Sequence, residues 1–152
     1  MPVRSSQFIL IPYVGTGTID FGTSLAETRV ILGDAERSSK NRRAETLLTY
    51  ESCRLTFSST DEKLVEIAFW QNVVLLAGGI DIFNDAEALA KLASIDRPLE
   101  CVGILFFERL GLSITGLHNG GDKVVTAISA GRFDTIKEKF SLFNLNSQEN
   151  YG

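Results

Sequence analysis

The stretches LTYESCRLTF, Leu48 to Phe57, and LFFERLGLSI, Leu105 to Ile114, spell one pattern twice. Leu48, Tyr50, Glu51, Leu55 and Phe57 recur as Leu105, Phe107, Glu108, Leu112 and Ile114, each displaced by 57 positions. In each copy apolar residues alternate on both sides of a short polar break, which reads as two strands joined by a turn. Side chains at i and i+2 share a sheet face, so each copy offers one apolar face to a core. A strand pair that recurs calls for a larger repeated unit around it.

That unit is visible on both sides. Before the first copy, GTSLAETRVILG supplies Ser24 as a helix N-cap, with Glu27 in the capping-box position. Leu25, Thr28, Val30, Ile31 and Leu32 form a mostly apolar stripe, and Gly33 ends the helix. The segment DAERSSKNRRAE is too hydrophilic for core and reads as a loop. Strands are expected over Leu47 to Tyr50, Arg54 to Ser58, and Leu64 to Trp70, with the turn-rich SSTDEK before the last. Before the second copy, GIDIFNDAEALAKLASI offers Asn84 or Asp85 as cap and an Ala/Leu-rich helix. Strands then follow over Cys101 to Phe107, Leu110 to Thr115, and Lys123 to Ala130, and Asn119-Gly120 is a hairpin signal between the last two. Ile19-Asp20 and Ile80-Asp81 mark the same place in the two halves.

The expected fold class is therefore α+β. Two tandem repeats, at about 14–72 and 73–133, each lay a helix over an antiparallel meander of three strands. Neither half holds a generous core alone, so their edge strands should pair into one continuous sheet with the helices on one face. Leu48, Tyr50, Leu55, Phe57, Val65, Ile67 and Phe69 would face the first helix; Leu105, Phe107, Leu112, Ile114 and Ile128 would face the second. SQFILIPYV adds an N-terminal strand, RFDTIKEKFSLF a C-terminal helix over 134–143, and 144–152 a flexible tail.

The succession F-G-T-S-L-A-E-T-R-V-I-L-G, Y-E-S-C-R-L-T-F and D-E-K-L-V-E-I-A-F resembles the repeat of the beta-lactamase inhibitory protein family. It is also similar to the single-repeat outer-membrane assembly lipoproteins of like fold. The likeness spans roughly Thr18 to Phe133. It implies a concave sheet face that grips a partner protein. The chain shows neither an export signal nor the cysteine spacing of secreted relatives. The implied use is therefore intracellular: a bacterial immunity protein that neutralises a toxin.

Composition sets the remaining bounds. With 152 residues, 44% hydrophobic and 22% charged, the chain is globular and long enough for a real core. A net charge of -4 and a pI near 5.0 have the wrong sign for a nucleic-acid binder and weakly favour a basic partner, such as a basic toxin domain. FILIPYV is short and contains Pro12, which argues against a signal peptide, and no run approaches the ~20 apolar residues of a membrane span. The expected location is the cytoplasm. Cys53 and Cys101, far apart and in no CxxC motif, read as half-buried thiols.

Chemistry is thinly represented. The single histidine, His118, sits in the Asn119-Gly120 turn, without the partners a general base needs. The glycines of GTGTIDFG lack phosphate-loop spacing and read as the turn before the first helix. Glu51 and Glu108, like Asp20 and Asp81, are equivalent through repetition and read as serving turns in their own halves. Arg37, Lys40, Arg42 and Arg43 form a basic cluster without interleaved aromatics, a solvated loop. No catalytic residue, metal ligand or cofactor is assigned. What remains is the sheet face away from the helices, where alternation places Arg54, Thr56, Ser58, Glu66, Trp70, Ser113 and Thr115, with Val125 and Ala127. Trp70 reads as a binding anchor or as the cover of the repeat junction. The expected function is non-enzymatic inhibition of another protein through this face. Self-association is a second way to cover it, and a small molecule or lipid held between sheet and helices is the alternative function.

Overall fold

The computed structural model describes residues 7–71, 73–116, 122–137 and 141–142. His118, the Asn119-Gly120 turn and the 144–152 tail lie outside the described residues.

The first repeat runs α1 (Leu25–Leu32), β2 (Arg37–Lys40), β3 (Thr46–Thr49), β4 (Cys53–Phe57) and β5 (Leu64–Phe69), after an N-terminal β1 (Gln7–Ile9). The second runs α2 (Ala88–Ile95), β8 (Leu99–Cys101), β9 (Ile104–Phe107), β10 (Leu112–Thr115) and β11 (Val124–Ile128). Between them lie β6 (Val74–Ala77) and β7 (Ile80–Asp81), and α3 (Ala130–Ile136) and β12 (Ser141–Leu142) end the described chain. The large sheet has the order β12-β8-β9-β10-β11-β5-β4-β3-β2. The last strands of the two repeats, β5 and β11, pair antiparallel at its middle, Ile67 opposite Ala127. The expected α+β fold with one continuous antiparallel sheet is what the chain forms, and α1 and α2 contribute to the core on one of its faces.

Several details differ from the sequence reading. Each repeat has four strands. DAERSSKNRRAE contains β2 rather than only a loop. The single strand expected over Cys101 to Phe107 turns back at Val102-Gly103, so that β8 pairs antiparallel with β9. All four residues of β2 are exposed. An edge strand needs one neighbour and no apolar face, so its hydrophilic sequence hides it, and its cations discourage further pairing. The displacement of 57 aligns motifs but not register: Leu48 faces Leu55, whereas Leu105 faces Ile114. The second turn is longer by two residues, and an even slip leaves every side chain on its face. The expected N-terminal strand exists, but β1 pairs parallel with β6 in a separate three-stranded sheet, β1-β6-β7.

Capping separates the helices. Ser24 and Glu27 form the reciprocal capping box on α1. Asn84 and Asp85 do not cap α2, which begins after Glu87 with no side-chain cap. Asn84 bonds Asp81 and Asp85 accepts from the Glu87 amide, so both are used in the preceding turn. The C-terminal helix starts earlier than the expected 134–143: Ser129 caps α3 by accepting from the Arg132 amide, and Ser141–Leu142 is a strand.

The core lies between the large sheet and the elements above it, with Leu48, Leu55, Phe57, Ile67, Phe69, Leu105, Phe107, Leu112 and Ile114 fully buried. A bulge between Thr56 and Phe57 makes Val65 the extra residue, so Leu64 takes the core position expected of Val65. Val125 and Ala127, expected outside, pair with Ile114 and Leu112 and belong to the core. Ile128, expected in that core, stands opposite Glu66 on the other face.

Candidate binding surfaces

The face away from α1 and α2 is not wholly open. The Ser129 amide donates to the carbonyl of Val65, the bulged residue, and so brings the start of α3 to this side. Arg132 then reaches Glu66 at 2.6 Å and Glu45 at 2.8 Å, tying α3 to β5 and to the β2–β3 turn. Both Arg132 and Glu45 are nearly out of solvent. Burial opposes the Arg132 charge, but Glu45 and Glu66 outweigh it and hold the guanidinium still more firmly protonated. The bond from Arg132, against burial and with help from Asn41, holds Glu45 below the usual carboxylate range. Farther along, Phe133 stacks on Phe106 with ring centroids 4.8 Å apart. Tyr13 packs against Phe133 from the N-terminal loop, and its hydroxyl donates to the Glu108 carbonyl.

The expected site residues therefore separate. Thr56 is buried and Glu66 is committed to Arg132, so neither is offered to a partner. Ser58 serves its own turn through Thr60. Trp70, one residue beyond β5, is half-buried and outside the main core. Arg54 remains exposed, and Ser113 and Thr115 half-exposed. Register adds residues that alternation within single strands missed. Arg37 pairs with Thr49, Thr49 with Arg54, Arg54 with Ala68, Ala68 with Thr126, and Thr126 with Ser113. This row crosses six strands, about 24 Å at ordinary strand spacing. Its exposed charges are cationic, and the ion pairs found among the described residues leave Arg37 and Arg54 out.

On the opposite face, the first repeat contains a cleft of about 450 Å³. Its floor is Cys53, Leu55, Ile67 and Phe69 on β4 and β5. Phe8 packs on Phe69 at 5.0 Å, and Ile9 and Leu32 stand at the rim, 57% and 36% exposed. Tyr50 lines it while donating its hydroxyl to the carbonyl of Gly33, which closes α1 onto the β3–β4 turn. The loop Thr16–Ile19 forms another wall. Gly15 sets that loop: its φ is +135, and a Cβ would lie 2.4 Å from the Ile19 carbonyl oxygen, so no other residue fits. The glycine-rich GTGTIDFG is thus a turn, as expected, with Asp20 accepting from the Gly17 amide. Burial pushes the Cys53 thiol up to about 11, so it lines the cleft uncharged.

Cys53 and Cys101 are free thiols. Among the described residues no group of His, Cys, Asp and Glu could hold a metal ion, and no helix is long and apolar enough to cross a membrane. Set against protein-family models, curated proteins and solved structures, the chain matches none.

Proposed function

We propose that the chain is a non-enzymatic, cytoplasmic binding protein of the bacterial immunity type, which holds and neutralises a toxin through the outer sheet face. The observation that carries this reading is the row from Arg37 to Ser113. It is a surface of paired strands, exposed at Arg37 and Arg54, half-exposed at Thr49, Thr126 and Ser113 and buried at Ala68, built jointly by both repeats across the β5–β11 seam. Such a surface suits a protein better than a small molecule, because affinity comes from many modest contacts around a few anchors. Arg54 and Arg37 serve as the charged anchors, Ser113, Thr115 and Thr126 as the polar contacts, and Trp70 as the aromatic anchor at the edge.

The sign of the anchors changes the expected partner. Net charge alone favours a basic protein, but the residues on this face would meet carboxylates. The partner is therefore a protein with an acidic patch at its contact surface. The test is co-expression with the product of the neighbouring gene, which this reading predicts to be a toxic polypeptide, followed by titration of the purified pair. Reversing both charges, Arg37→Glu with Arg54→Glu, should weaken binding at least about tenfold and abolish protection of growth. Unchanged affinity and full protection would refute the assignment of this face.

A further inference from the structure

We propose that the cleft of the first repeat is a binding site for an uncharged, mainly hydrocarbon or aromatic small molecule. The second repeat serves as an internal control. In the second repeat the chain fills the space over the sheet with its own side chains: Leu75, Ile82 and Leu92 are fully buried there, and Phe83 nearly so. In the first repeat α1 buries only Thr28, and Leu32 turns toward the cleft instead of closing it. About 450 Å³ is left between the sheet, β1 and α1, within the range of sites that take small ligands.

The lining selects the chemistry. Among the described residues no Asp, Glu, Lys, Arg or His contributes to it. A charged ligand would lose its hydration with nothing to replace it. Gln7, Thr16, Thr18 and Ser52 supply polar side chains among the walls, enough to orient one or two hydrogen-bonding groups of a ligand. The floor is aromatic, aliphatic and thiol. Because Cys53, Leu55, Ile67 and Phe69 point to the opposite face from Arg54, Thr56 and Glu66, this site is independent of the protein-binding row.

The test uses the full chain and the uncharged fluorescent dye N-phenyl-1-naphthylamine. Saturable binding at one dye per chain is expected. Thr18→Trp, which fills the mouth, and Ile9→Asp, which places a charge at the rim, should each raise the dye Kd about tenfold or more. Both positions are exposed, so the fold should survive, which circular dichroism checks. Val30→Asp, on the exposed side of α1 and outside the lining, should leave the Kd unchanged. Absence of saturable binding would overturn the proposal. So would a Kd that moves with Val30→Asp but not with Thr18→Trp or Ile9→Asp, because the dye would then report a surface patch.

Discussion

The two repeats build the same sheet and use their helices differently. α2 sinks Ala88 and Leu92 into the core and half-buries Leu89, whereas α1 buries only Thr28 and half-buries Leu25. Val30 and Ile31 of α1 are 85% and 49% exposed. The cause is partly what surrounds each helix. α2 follows the small sheet in the chain and packs on its β7. α1 is fixed at its two ends instead: the Leu25 amide donates to the Glu62 carbonyl, and Tyr50 holds Gly33. A duplicated scaffold thus has one repeat that stabilises the fold and one that keeps apolar surface available. Small changes in helix packing suffice for that division, because burial of a few side chains is a large share of a domain's stability.

The largest effect is expected in the second repeat. Leu92→Ala should lower stability by about 3–4 kcal/mol, since it empties a fully enclosed site. Urea denaturation would measure it, and a loss below about 1 kcal/mol would mean that α2 is no better packed than α1. Next in size is Arg132→Met, which leaves Glu45 buried without its cation and should cost about 3 kcal/mol at neutral pH. The pH dependence has a definite sign. The carboxyl of Glu45 is depressed in the folded state, so its contribution is complete above the ordinary carboxylate range and is lost as pH falls through the depressed value. The gap between wild type and variant should therefore narrow on acidification. A gap constant with pH would assign the loss to packing.

Gly15→Ala should cost about 2 kcal/mol, because the backbone there is left-handed and the Cβ meets a carbonyl oxygen. Its effect should be local, weakening the Thr16–Ile19 wall of the cleft. A melting temperature equal to wild type would show that the loop can give way. The smallest effect is expected in the first helix: Val30→Ala should change stability by less than about 0.5 kcal/mol, as measured by the same denaturation.

Much of this architecture was legible in the sequence, and the reasons are local. Alternation in Leu48 to Phe57 and Leu105 to Ile114 reports which face is buried, whatever the register. Ser24 and Glu27 report a helix start because capping is a short-range interaction. The misreadings came from interactions that no single segment contains. β2 exists because Thr46–Thr49 offers it a free edge. Val65 yields its core place to Leu64 through a bulge fixed against β4. Glu66 looks free until Arg132 arrives from far along the chain. The row across the outer face was half legible for the same reason: Arg54 and Ser113 follow from alternation, but Arg37, Thr49 and Thr126 join them only through pairing between strands. The cleft left one mark in the sequence, the apolar Leu32 at the end of a helix with little to cover.

The asymmetry of the two helices is tested most directly by native-state hydrogen exchange, which reports the opening free energy of each amide. Amides of α2 should exchange only through global unfolding, while those of α1 should open locally at a much lower free energy. Equal protection of α1 and α2 would contradict the division of roles between the two repeats.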